Sequence, residues 1–212
     1  MPWTMRRITV VLSFCTLLFP MKVWADAVLL TNQFGSVTLS NDGIVSTGSE
    51  LTGYSFNRKR SPPGHRLGAV SFSTGALVDG SILGGGTFSD MGSSFVAMGV
   101  GKFGVPKGTI LSASFFGPID WRLVSQTGNN YVFELSGNLL GMLFTGRMLE
   151  GATTQTIFVT QNQWNQNLKG RIHTGRTALG ASLLIPEPGT LLLIGTGLTV
   201  IVVVIRSRLF GT

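Results

Sequence analysis

The chain has 212 residues, and acidic and basic side chains together supply only 12 % of them while glycine supplies 29, which excludes salt-bridged helical bundles and favours strands joined by tight turns. Its formal charge of +7 is concentrated at the termini: Arg6, Arg7 and Lys22 open the chain and Arg206 and Arg208 close it. Between residues 26 and 185 eleven basic residues face eight acidic ones, a surplus of three that calls for no nucleic-acid partner.

The first element is a secretory leader over residues 1–25. Met1 to Arg7 is positively charged, Ile8 to Phe19 is apolar, and Pro20 breaks the run before a short segment ending in small residues. Twelve apolar residues make about 18 Å of helix, too short for a bilayer core of roughly 30 Å. Cleavage after Ala25 places Val23 at the −3 position; cleavage after Ala27 would place Ala25 there, and Ala25 is favoured. The only cysteine, Cys15, falls inside this leader, so residues 26–185 contain no disulfide, thiol nucleophile or thiolate metal ligand.

From Ala27 the apolar pattern has period two, predicting one all-β domain over 26–185, an antiparallel β-sandwich or a barrel-like relative of it. Val37-Thr38-Leu39 and Ile44-Val45 flank Asn41-Asp42-Gly43 and predict a hairpin turning on Asp-Gly. Strands are expected over 51–56, 69–73, 95–100, 109–116, 139–147, 154–160 and 178–185. A second hairpin pairs Ile119, Trp121 and Leu123 with Tyr131, Phe133 and Leu135 through a loop at 126–130, with Trp121 in the core.

Several local patterns invite a chemical reading. Arg58, Lys59, Arg60 and Arg66 surround Ser61-Pro62-Pro63-Gly64 and offer contacts to an anionic polysaccharide or phosphate. Gly99-Val100-Gly101-Lys102-Phe103-Gly104 matches a dinucleotide fingerprint in spelling, but Val105-Pro106 and a strand follow where a helix N-terminus is needed, so a turn is expected and no cofactor. The Gly84-Gly85-Gly86-Thr87-Phe88-Ser89-Asp90 stretch is one partial copy of a calcium-binding β-roll repeat, insufficient to build an ion site. His65 and His173, the only histidines, lie in no local catalytic signature; no metal site and no catalytic residue is assigned, and the chain is read as a non-enzyme. Trp164, within 161–167, is the better placed aromatic for a surface contact with sugar.

The tail, 186–212, begins with Pro186-Glu187-Pro188. Each proline biases its predecessor toward extended backbone and donates no hydrogen bond, leaving a stiff strand suited to a processing enzyme. Thr190 to Ile205 is a charge-free run that reads as a transmembrane helix, and Arg206 and Arg208 set its topology with the basic end in the cytoplasm. A permanent single-span anchor would share that span and orientation. Motif, helix and basic end, in that order and opposite a signal peptide, resemble the PEP-CTERM sorting signal of Gram-negative bacteria. The resemblance implies export, parking in the inner membrane through the C-terminal helix, and processing near Pro186-Glu187-Pro188 by an exosortase-like enzyme. Through "SFSTGAL", "GSILGGGTF" and "FFGPIDWRL" the middle is similar, more loosely, to acidobacterial-type PEP-CTERM proteins, a likeness that implies no activity. The expected role is structural or adhesive, at the cell surface or in the extracellular matrix, with exopolysaccharide as a partner. A carbohydrate-binding module and a secreted hydrolase or metalloenzyme are the alternatives.

Overall fold

The computed structural model describes residues 27–62, 65–160 and 168–181, and over these the chain forms strands and no helix. No described helix is therefore long and apolar enough to cross a membrane. The predicted leader with Ala25, the Trp164 loop, and the tail with Pro186, Glu187, Pro188, Arg206 and Arg208 all lie outside the described residues.

Twelve strands follow in order: β1 (Ala27–Ser40), β2 (Gly43–Phe56), β3 (Lys59–Arg60), β4 (Gly68–Ser73), β5 (Leu77–Ser81), β6 (Gly85–Phe88), β7 (Ser94–Val100), β8 (Lys107–Phe115), β9 (Ile119–Thr127), β10 (Asn130–Leu143), β11 (Met148–Thr160) and β12 (Leu168–Ala181). Neighbours run β11-β12-β1-β2-β4-β7-β8-β10, and β11 pairs with β10 as well, closing eight antiparallel strands into a barrel. The all-β antiparallel expectation holds, in its barrel-like form.

Closure follows from strand length. β10 and β11 stay in register from Asn130↔Thr160 to Met142↔Met148, and β11 pairs equally far along β12. Eight strands enclose an interior that side chains can fill, and alternate residues of β1, such as Val28, Leu30, Val37 and Leu39, are buried in one continuous core. Each such fully buried apolar side chain contributes roughly 1.5–3 kcal/mol relative to exposure.

β10 is one strand where two segments with a break between them are expected. At Ser136–Asn138 it changes partners, from β9 along its first half to β8 along its second. Gly137 leaves room there for the Phe115 ring, which would lie 2.8 Å from a Cβ at that position. The β9–β6–β5 branch leaves the ring at this point. It carries Trp121, buried as expected, whose indole nitrogen donates to Ile82 O (2.7 Å) and whose ring stacks on Phe133 at 4.3 Å. The triple glycine, read above as a repeat fragment, forms the β5–β6 hairpin.

Two turns are tighter than expected. The β9–β10 loop is Gly128-Asn129, flanked by the Thr127↔Asn130 pair. The first hairpin turns on Asn41-Asp42, with Ser40 paired to Gly43, so Asp42-Gly43 is not the turn pair. Gly43 instead opens β2, because the 74–75 backbone crosses close enough that a Cβ would meet Thr74 O and Gly75 O within 2.9 Å.

Within the apolar lining, β1, β2, β11 and β12 enclose a buried polar ladder. Asn32 Nδ2 donates to Ser49 Oγ (2.8 Å) and Gln155 Oε1 (3.0 Å); Gln155 Nε2 donates to Asn32 Oδ1 (3.4 Å) and Thr153 Oγ1 (2.8 Å). Thr153 Oγ1 in turn lies 2.8 Å from Thr177 Oγ1. A Cβ at Gly175 would collide with both amides, so glycine on β12 makes space for the pair. Satisfied in this way, the ladder specifies the pairing of four strands; half-satisfied, it would weaken it. Replacing Gln155 with Ala is expected to cost about 2–3 kcal/mol, read as a lower denaturant midpoint at unchanged slope, because Asn32 loses a buried partner.

Burial of Tyr54 raises its phenol above the ordinary value of 10.0 by penalising the phenolate. The unfolded chain therefore releases that proton more readily. Its contribution to stability is complete below pH 10.0 and is lost as pH rises through the folded value. Alkaline titration of the denaturation midpoint is expected to show this loss, and Tyr54→Phe to flatten it.

Candidate functional site

Relief on the outer wall arises where two neighbouring strands bulge together. On β1, Phe34 (φ 63°) and Gly35 (φ 83°) are left-handed, and the pairing with β12 slips on both sides of Phe34. On β12, His173 has no partner in either register: Asn32 faces Gly175 and Phe34 faces Ile172, while Thr156 faces Thr174 and Ile157 faces Ile172. Such bulges re-aim side chains that alternation would otherwise bury.

The result is a cleft of about 460 Å³ lined by Phe34, Phe158, Lys169, Arg171 and His173, with Thr160, Gly170 and Ile172 completing it. Phe34 and Phe158 are each 44 % exposed, high for phenylalanine. The Arg171 guanidinium carbon stands 5.2 Å from the centre of the Phe34 ring, and Phe158 stacks on His173 at 4.4 Å with 24° between planes. Among the described residues no carboxylate lines the cleft, and Arg171 and Lys169 give it a positive field. Aromatic faces beside unopposed cations suit a ligand with apolar ring faces and negative charge. Thr160, at the end of β11, lies on the cleft; residues 161–167, which include Trp164, lie outside the described residues.

The basic cluster read from the sequence divides. Arg58, Lys59 and Arg60 lie on the β2–β3 hairpin, whose turn residues Asn57 (φ 49°) and Arg58 (φ 70°) are both left-handed, the form that suits a two-residue hairpin, while Lys59 and Arg60 form β3. Arg58 and Arg60 border a second hollow of about 720 Å³ floored by small residues, including Ala27, Gly151, Ala178 and Gly180, with Glu150 also on its wall. Arg66 lies apart, its Nε 3.8 Å from Glu50. Mixed charge and no aromatic face make this hollow the poorer ligand site.

The histidines are not brought together: His65 stacks on Phe103 at 4.1 Å, His173 on Phe158. Among the described residues no group of three His, Cys, Asp or Glu is placed to hold a metal ion. Gly99 to Gly104 forms the end of β7 and a loop into β8, as the turn reading expects.

Sequence reasoning missed Phe34, Phe158 and Arg171. A signal was present: buried β1 positions are Val28, Leu30 and Asn32, then Val37 and Leu39, a change of parity that only a bulge can accommodate. On β12, Ile172 is followed by Gly175, Thr177 and Leu179, the same change.

Barrel and tail together define an exported β protein that carries its own sorting address. Residues 184–208 match the family model of the PEP-CTERM protein-sorting motif, which marks the chain as an exported protein sorted through the membrane by an exosortase-type system. The match covers the tail alone. Among curated proteins and among solved structures none matches the chain.

The bulge separates presentation from folding. Phe34→Gly is expected to hold stability or raise it by up to about 1 kcal/mol, since a left-handed bulky residue is strained. Gly35→Ala is expected to cost about 2 kcal/mol or more, because its Cβ would come within 2.6 Å of Ser49 N and Cα at a left-handed φ. Thermal or chemical denaturation of the two variants checks both signs.

Proposed function

We propose that this protein is a non-catalytic adhesive or structural component of the cell surface or extracellular matrix, holding acidic exopolysaccharide in the Phe34–Phe158–Arg171 cleft. The observation that carries the reading is an exposed phenylalanine held on a strained bulge beneath a guanidinium, beside a second exposed ring and a lysine. Pyranose rings present apolar C–H faces that pack on aromatic rings, and the carboxylates of uronic acids accept paired hydrogen bonds from guanidinium. The cleft's volume of about 460 Å³ suits a short run of sugar units rather than a whole polymer, so affinity along a chain would come from many copies.

β12 also orients the site. Arg171 and Ala181 are ten residues apart on it, roughly 33 Å along the strand, so the cleft lies on the side wall well removed from the end where the tail leaves. A protein parked in the membrane would thereby keep the cleft at a distance from the bilayer.

Calorimetric titration with the host's own exopolysaccharide, with polyuronates and with neutral glucans tests this. Binding is expected to favour the acidic polymers, to weaken with salt, and to leave polymer length unchanged. Phe34→Gly and Arg171→Ala are each expected to lower affinity about five- to tenfold, the loss of roughly 1–1.4 kcal/mol. Affinity that ignores both substitutions would remove the cleft from the function; shortening of the polymer would make the protein an enzyme.

A further inference from the structure

We propose that the end of the barrel from which the tail departs is a docking surface for the headgroups of an anionic phospholipid bilayer. Because ring neighbours are antiparallel, the ends of β2, β7, β10 and β12 and the starts of β1, β4, β8 and β11 share one rim. Three connections on that rim, with the strand residues beside them, carry six of the eleven cations of residues 26–185. The β2–β3 hairpin supplies Arg58, Lys59 and Arg60, the β7–β8 loop and the first residue of β8 supply Lys102 and Lys107, and the β10–β11 turn supplies Arg147, all exposed. Among the described acids, Glu150 sits at the start of β11 on this rim and Glu50 is bridged to Arg66, while Asp42 sits on the turn at the opposite end.

Exposed apolar side chains lie among these charges. Phe103, 45 % exposed and left-handed at φ 58°, projects from the β7–β8 loop, and Phe144, 44 % exposed, from the β10–β11 turn. Phe144 meets Phe56 edge to face at 5.7 Å although β2 and β10 are not neighbours in the ring, so two turns from different parts of the wall converge across the mouth. Met142 and Met148, paired in register, extend the apolar surface on the outer wall next to that turn. Cations around partly exposed aromatic side chains are what an interface with anionic lipid selects, the rings entering the headgroup layer and each nearby cation gaining from the surface potential.

Chain length fixes the occupant. From Ala181 only four residues precede Pro186, at most about 17 Å of extended chain, and the charge-free run opens at Thr190, at most about 30 Å away. A tail in the bilayer therefore holds this rim, rather than any other surface of the barrel, against the headgroups. The inference rests on the reading that the tail enters the membrane.

The test uses the full chain with Cys15→Ser, labelled with a fluorophore at Thr145→Cys on the rim or at Asn129→Cys on the opposite turn. Each is reconstituted into phosphatidylcholine vesicles with or without phosphatidylglycerol, containing lipids spin-labelled at the headgroup. Flotation with both vesicle types, lost when residues 186–212 are removed, reports insertion of the tail. Quenching is expected at Thr145→Cys and not at Asn129→Cys, to increase several-fold with phosphatidylglycerol, and to fall in high salt and on combining Arg58→Glu, Lys59→Glu and Arg60→Glu. A chain that floats but shows equal quenching at the two positions, or quenching indifferent to lipid charge and salt, overturns the docking surface and leaves the tail reading intact. A chain that does not float overturns both.

Discussion

Everything in this fold depends on β11 having two full-length partners. An open sheet of this size would expose two edges; pairing β11 with both β12 and β10 removes them and forces the alternate side chains of eight strands into one enclosed space. That space is occupied by leucine, isoleucine, valine and phenylalanine, with the Asn32–Gln155 ladder as its polar inlay. A filled interior moves recognition to the outside wall. There, a regular strand offers only a flat row of alternate side chains, so relief has to come from irregularity.

The irregularities are where sequence reading succeeds least, and the reason is physical. Period-two alternation is a local signal, and it correctly marked the Ile119–Leu123 and Tyr131–Leu135 hairpin, the burial of Trp121 and the all-β class. Strand length was hidden, because Ser136-Gly137-Asn138 spells a turn and only Phe115, from another strand, explains why glycine continues β10 instead. The cleft was hidden for a similar reason: Phe34 and Arg171 are more than a hundred residues apart, and neither is unusual until register places them face to ring. Parity slips in β1 and β12 were legible, but their coincidence on adjacent strands was not. The tail, in contrast, is read linearly by a processing enzyme, so its meaning survives without a fold, and residues 184–208 carry it in the order the sequence displays.

The Arg58–Arg60 cluster shows the intermediate case. As a string it indicates an anion contact and nothing about which anion. Topology supplies the missing half by bringing Lys102, Lys107 and Arg147 to the same rim and by sending Arg66 to Glu50 instead. The barrel is therefore polar along its length, with cations and exposed phenylalanines where the chain leaves toward its sorting segment and the aromatic cleft well removed from them. Such polarity is what the two proposals require, a membrane contact at one end during sorting and a ligand contact away from it.

Backbone strain points the same way. The non-glycine residues with left-handed φ among those described are Phe34, Asn57, Arg58 and Phe103, and all four are exposed. Asn tolerates that region, whereas Phe and Arg incur roughly 1–2 kcal/mol there, which glycine would avoid. Gly35, Gly101 and Gly104, also left-handed, stand beside or near Phe34 and Phe103, so these loops already use glycine where shape alone is required. Keeping a ring or a guanidinium at the strained position therefore cannot be explained by the turn. Phe34 meets the Arg171 guanidinium and Phe103 stacks on His65, contacts that glycine would lose, and the faces left exposed are those that the proposed cleft ligand and the proposed membrane contact would use.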